Sequence, residues 1–173
     1  EEMRTIENMI KFNLEPKCQN IKMAGDRAIS FLKSHGFSDD TVKVPVRILR
    51  ELIKNSVKYG NKFKPTDNEI AVRLQMDKNT YTIEVMNQVN ETCSDQLTAL
   101  DKTIQFIRGY QDPCEAYSIR LAEVAAHPFN TETIDLGLVK IAYEEGVILD
   151  FFVSEDNFLN LSAVGSLDGD SRT

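Results

Sequence analysis

Glu51, Asn55 and Lys58 are spaced to share one side of a helix. At about 100° per residue they fall within roughly 60° of one another, while Val46, Leu49, Ile53, Ser56 and Val57 gather on the opposite side. A carboxylate can polarise a water or a hydroxyl, a carboxamide oxygen can ligate Mg²⁺ beside substrate phosphates, and an ammonium can meet phosphate charge. The trio therefore suits a metal nucleotide, with ATP as the leading ligand. A plainer reading stands beside it. Arg47, Arg50 and Lys54 occupy the same polar half, and a mixed-charge helix face is commonly just solvated.

The elements around this helix can be read from periodicity. Apolar residues between Thr5 and Leu14 suit a first strand, which Pro16 ends. Ile21, Ala24, Ala28, Ile29, Phe31 and Leu32 recur at helical spacing, and Ser34-His35-Gly36 supplies a stop. Ser38-Asp39-Asp40 offers N-cap chemistry for the second helix, although Pro45 places the start of its regular part at about that residue. That helix is expected to end near Gly60. Ile70, Val72, Leu74 and Met76 alternate with polar or small residues; after Asp77-Lys78-Asn79, Tyr81, Ile83 and Val85 alternate again, which reads as an antiparallel hairpin.

Ser94-Asp95-Gln96 can cap a helix carrying Leu97, Leu100, Ile104 and Ile107 inward and closed by Gly109. A further helix starting near Asp112-Pro113 would turn Tyr117, Leu121 and Val124 inward. Arg108 and Arg120 on this pair could reach phosphates or simply face water. A last helix follows Thr133-Ile134-Asp135-Leu136-Gly137-Leu138, and Val147–Val153 and Phe158–Val164 flank Glu155-Asp156-Asn157 as a second hairpin. The end of the chain, from about Gly165, is expected to be loose.

Composition narrows the classes. The 173 residues fit one ordinary domain, the net charge is −7, and no Lys/Arg-rich run appears, so nucleic acid is disfavoured as a partner. No apolar stretch approaches membrane-spanning length and residues 1–4 lack the pattern of a signal peptide, which gives a cytoplasmic reading with no membrane association. Cys18, Cys93 and Cys114 are odd in number and widely spaced, a poor basis for a disulfide framework or a zinc site. Neither His35 nor His127 sits in a phosphoacceptor helix pattern.

Glu51-x-x-x-Asn55 followed by Ser56-Val57-Lys58-Tyr59-Gly60 resembles the N box of the GHKL, or histidine-kinase-like, ATPase superfamily. The resemblance implies Asn55 as magnesium ligand, Glu51 as general base, and Lys58 and Tyr59 as contacts on the phosphate and nucleotide sides. Met86-Asn87-Gln88-Val89-Asn90 stands where the family has Asp-x-Gly-x-Gly, so Asn87 would face adenine, with Val89 in place of a glycine. Leu136-Gly137-Leu138 is similar to the end of the second glycine box, Gly-x-Gly-Leu-Gly-Leu, with Thr133 and Asp135 replacing its first two glycines. Those three residues would lie on the phosphates, where a helix start favours anions and Asp135 opposes them. Each position also has a structural reading: Asn87 as a turn residue, and Asp135 as an N-cap with Leu136, Val139 and Tyr143 packed inward.

The element order is similar to that of the two-layer α/β sandwich of this superfamily, an α+β fold with a mixed, mainly antiparallel sheet covered by helices. The resemblance is nearest to the anti-sigma-factor kinase and bacterial partner-switching branch. It implies a single domain over residues 1–165, a helical insertion at the ATP-lid position over about 91–130, and a flexible tail at 166–173. The implied function is an ATP- and Mg²⁺-dependent serine/threonine protein kinase or anti-sigma-factor-like regulator. Its partners would be an anti-sigma-factor antagonist or a sigma factor, with room for a homodimer. The alternative is a degenerate member that keeps the scaffold as a protein-interaction module without efficient nucleotide chemistry.

Overall fold

The computed structural model describes residues 4–6, 8–59, 69–90, 93–126 and 136–167. Six strands and five helices follow the order β1 (Arg4–Ile6), β2 (Met9–Leu14), α1 (Cys18–Ser34), α2 (Asp39–Tyr59), β3 (Ile70–Asp77), β4 (Thr80–Gln88), α3 (Ser94–Arg108), α4 (Pro113–Ala126), α5 (Leu136–Glu145), β5 (Ile148–Val153) and β6 (Phe158–Ser166). The strands make one sheet in the order β1-β2-β3-β4-β6-β5. Every neighbouring pair is antiparallel, so the α+β class holds and the expected mixed sheet does not.

Strict alternation explains the central strands. On β3 and β4 the residues Ile70, Val72, Leu74, Tyr81, Ile83 and Val85 are buried, and their intervening neighbours lie on the opposite face. Lys78, with φ of 54°, takes the left-handed conformation that lets so short a turn close between Asp77 and Thr80. The N-terminal segment is a second hairpin rather than the single strand read from residues 5–14, since the chain reverses between Ile6 and Met9. Polar Asn8 interrupts the apolar run there, and its carbonyl accepts the Met76 N–H at 2.9 Å.

The helices cover one face. α1 rests on β2, α2 spans β4 and β6, and α5 lies against α2 with α4 packed on α5. As expected, α1 ends at Ser34; Gly36 then adopts a φ of 89°, and the His35 ring packs 4.5 Å from that of Phe31. α2 starts six residues before Pro45, earlier than the proline suggests. Ser38 Oγ accepts the Thr41 N–H at 3.2 Å, Asp39 and Asp40 complement the helix dipole, and Val42 is buried in that early turn. Burying a Val stabilises by about 2 kcal/mol, and with the cap this offsets most of the roughly 3 kcal/mol that an interior proline costs.

α3 contributes to the core. Its Leu100, Thr103 and Ile104 are all within 1% of full burial, so lifting the helix away would expose two large aliphatic side chains. α4 differs from its expected orientation. Ala116 is its buried residue and Tyr117 stacks on Tyr143 at 5.2 Å, but Leu121 is 47% exposed. At the C-terminal end, β6 continues through Gly165 to Ser166, and the Leu167 N–H donates to the Asn79 carbonyl, so ordered chain extends past the expected start of the tail. Gly165 is required there. It faces Tyr81 across the β4–β6 pair, and a Cβ would sit 2.5 Å from the Tyr81 ring.

Candidate functional site

α2 holds the candidate polar face because its opposite side is sealed into the core. Ile48, Leu49, Leu52 and Ile53 are completely buried, which fixes the rotation of the helix about its axis. Glu51 and Asn55, one turn apart, are in direct contact. The Asn55 carboxamide nitrogen donates to the Glu51 carbonyl at 2.9 Å and to its carboxylate oxygen at 3.1 Å. The Glu51 side chain keeps 23% of its surface exposed, and Lys54 approaches it at 3.8 Å.

That arrangement leaves one atom unaccounted for. Asn55 is 2% exposed, yet its Oδ1 has no hydrogen-bond partner among the described residues. A buried carboxamide oxygen without a donor costs about 1–3 kcal/mol, and a cation is one way to satisfy it. Both hydrogens of the nitrogen end are spent on Glu51, which forces the oxygen end the other way. Oxygen donors of this kind suit Mg²⁺, so Asn55 Oδ1 is the atom that fits an ion whose shell is completed by water and phosphate oxygens. Among the described residues no group of three or more His, Cys, Asp or Glu could hold a metal by itself.

The other candidates divide. Lys58 is exposed in the last turn of α2, and Tyr59 ends that helix, its side chain lying outside the described residues. Asn87, 3% exposed at the end of β4, is joined to α2: its Oδ1 accepts the Ser56 hydroxyl, and its Nδ2 donates to the Ser56 carbonyl at 3.0 Å. It is a strand-to-helix tether. Val89 turns into the core at 4% exposure. Leu136, Gly137 and Leu138 form the first turn of α5; Leu138 is completely buried and Leu136 and Gly137 are half-buried. Thr133 and Asp135 lie outside the described residues, as does His127.

The structure brings Glu51 and Asn55 together on one face of α2, ties Asn87 to the same helix through Ser56 on its core side, and sets α5 against α2. Arg108 is tied to β5, donating to the Leu149 carbonyl at 3.3 Å and pairing with Asp150 at 2.9 Å, while Arg120 pairs with Glu123 at 3.1 Å. Ser56 is the participant that sequence reasoning missed. Its signal was present: a hydroxyl on the apolar stripe of an amphipathic helix needs a partner from elsewhere in the fold.

Two further features are the Tyr81 phenol and the surface of α1 and α2. Tyr81, 1% exposed, has a hydroxyl without a partner among the described residues; burial, with the Glu145 carboxylate adding to it, pushes its phenol well above the ordinary value. On the solvent side of α1 and α2 lies a groove of about 660 Å³ reaching from Lys33 to Lys54. No helix among the described residues is long and apolar enough to cross a membrane.

No protein-family model matches the chain, and no curated protein matches it. Among solved structures it is similar to a chain of the SiaB–SiaC complex from Pseudomonas aeruginosa, with a TM-score of 0.64 over 90% of this chain and 88% of that one. The two are 18% identical, so what they share is the fold.

Proposed function

We propose that the chain is a signalling regulator of the partner-switching type that binds Mg-ATP on the Glu51–Asn55 face of α2 and phosphorylates a serine or threonine of a protein partner. The buried, unpartnered Oδ1 of Asn55 carries this reading. Support comes also from the fold, since the similar chain belongs to a complex of two different proteins. Bound there, Mg²⁺ would neutralise phosphate charge. Asn55 would hold the ion through Oδ1, its nitrogen already anchored to Glu51. Glu51 would accept the proton of the partner's hydroxyl as that oxygen bonds to the γ-phosphorus, while the bond from the γ-phosphorus to the bridging oxygen breaks and ADP leaves. Leu136, Gly137 and Leu138 would place the start of α5 near the phosphates.

A second reading is favoured by Asn87 and Val89. A side chain tethered at both ends to Ser56, followed by a core valine where the superfamily has glycine, suits a scaffold that binds proteins without efficient nucleotide chemistry. Turnover separates the two. In the kinase reading, wild-type protein with MgATP and its protein partner yields phosphoserine or phosphothreonine by mass spectrometry, and Glu51→Gln binds nucleotide but transfers no phosphoryl group. An unmodified partner that still forms a complex with both proteins would select the second reading.

A further inference from the structure

The groove between α1 and α2 has a lining opposite in sign to the rest of the chain. Five of its ten lining side chains are cationic and two are carboxylates, in a protein of net charge −7. Four of the cations already have acidic neighbours: Lys33 pairs with Asp39, Lys43 with Asp40, Arg47 with Glu145, and Lys54 stands 3.8 Å from Glu51. The Lys33 and Lys43 pairs are solvent-exposed on both sides and individually weak, so they exchange readily for another anion, whereas the Glu145 partner of Arg47 is nearly buried.

Arg50 is different. It is half-buried, no carboxylate pairs with it among the described residues, and its Nε is buried without an acceptor. Its guanidinium lies against Gly25 of α1, where a Cβ would come within 2.6 Å of Nε and 2.7 Å of Nη2. The glycine thus makes room for a guanidinium held between two helices, which presents a planar fork with much of its conformational entropy already lost. Ile29, Val42 and Val46 supply apolar wall beside it. A pre-positioned cation next to apolar surface fits an extended peptide with carboxylates set among aliphatic side chains.

We propose that this groove docks an acidic segment of the protein partner, with a carboxylate on Arg50. Glu51 lines the same groove while its carboxylate contacts Asn55, so a segment seated on Arg50 lies beside the face assigned to phosphoryl transfer. The identity of the occupant as the phosphoacceptor protein rests on the proposed function; the preference of the groove for an acidic peptide does not.

The test uses the full chain and three fluorescein-labelled synthetic peptides of one length, in which aliphatic residues alternate with Glu and Asp, with Gln and Asn, or with Lys. Anisotropy should show saturable, salt-sensitive binding of the acidic peptide alone. Arg50→Met should weaken it by about ten- to a hundredfold, the loss expected for a charge-assisted pair, and Arg50→Lys should restore only part of it. Lys33→Glu with Lys43→Glu, both at exposed rim positions, should weaken it as well without disturbing the helix seam. MgATP binding, followed by thermal shift, should be the same in all these variants. Equal binding of the three peptides, absence of acidic-peptide binding, or wild-type affinity in both Arg50→Met and the rim variant would overturn the proposal. Acidic-peptide binding in a protein that ignores MgATP would uphold the groove and remove the kinase reading. MgATP binding without peptide binding would do the reverse.

Discussion

Replacing Asn87 by Ala distinguishes a structural tether from a nucleotide contact. Asn87 makes two hydrogen bonds to Ser56, and both residues are buried, at 3% and 0% exposure. Each neutral bond contributes about 1 kcal/mol net, and truncation also strands the Ser56 hydroxyl away from water at about 1–3 kcal/mol. The expected loss is about 3–5 kcal/mol, a fall of roughly 6–20 °C in melting temperature for a domain of this size. Urea denaturation of wild type, Asn87→Ala, Ser56→Ala and the double variant gives the coupling directly. The cycle should return an interaction energy of about 1–2 kcal/mol, with the double variant more stable than the sum of single losses predicts. Nearly unchanged stability in Asn87→Ala, with additive effects, would refute the tether and return Asn87 to the adenine side.

Tyr81→Phe should leave stability at neutral pH unchanged or raise it by up to about 1 kcal/mol, because the lost hydroxyl is buried and unpartnered; a loss of more than about 2 kcal/mol would mean that it has a partner. Its phenol is raised in the folded state, so from about pH 10 upward the unfolded chain gives up a proton that the folded chain keeps, and stability falls as pH rises. The decline in the phenylalanine variant should be shallower by up to about 1.4 kcal/mol per pH unit, measured by urea melts between neutral and alkaline pH. Gly165→Ala should cost about 1–3 kcal/mol, because its methyl would overlap the Tyr81 ring; Tyr81→Phe should not rescue it, since the ring carbon Cζ, 2.5 Å from that methyl, remains.

Legibility in the sequence followed the range of the interaction. The β3–β4 and β5–β6 hairpins could be read because alternation and turn residues are local, and α1 could be read because its stop, Ser34-His35-Gly36, is local too. Pro45 misdirected the start of α2, since the cap at Ser38 and the burial of Val42 outweigh one missing hydrogen bond. Leu121 misdirected the facing of α4, whose buried contact is the small Ala116 and whose apolar residues surround the helix. At the site, the Glu51–Asn55 contact follows from one-turn spacing. The Ser56–Asn87 tether joins positions 31 apart and depends on how α2 crosses β4, which no local pattern encodes. Arg50 read as one cation on a solvated face until Gly25, from the neighbouring helix, set its guanidinium in place.

In the proposed function, the Asn55 oxygen, unpartnered among the described residues, receives the magnesium of a bound nucleotide. Isothermal titration of ATP and ADP into wild type and Asn55→Ala, each with Mg²⁺ and with EDTA, tests it most directly. Wild type should show saturable, magnesium-dependent binding, and a folded Asn55→Ala protein should lose that dependence. Absence of heat at millimolar MgATP with folded wild type, or the same magnesium dependence in both proteins, would contradict it.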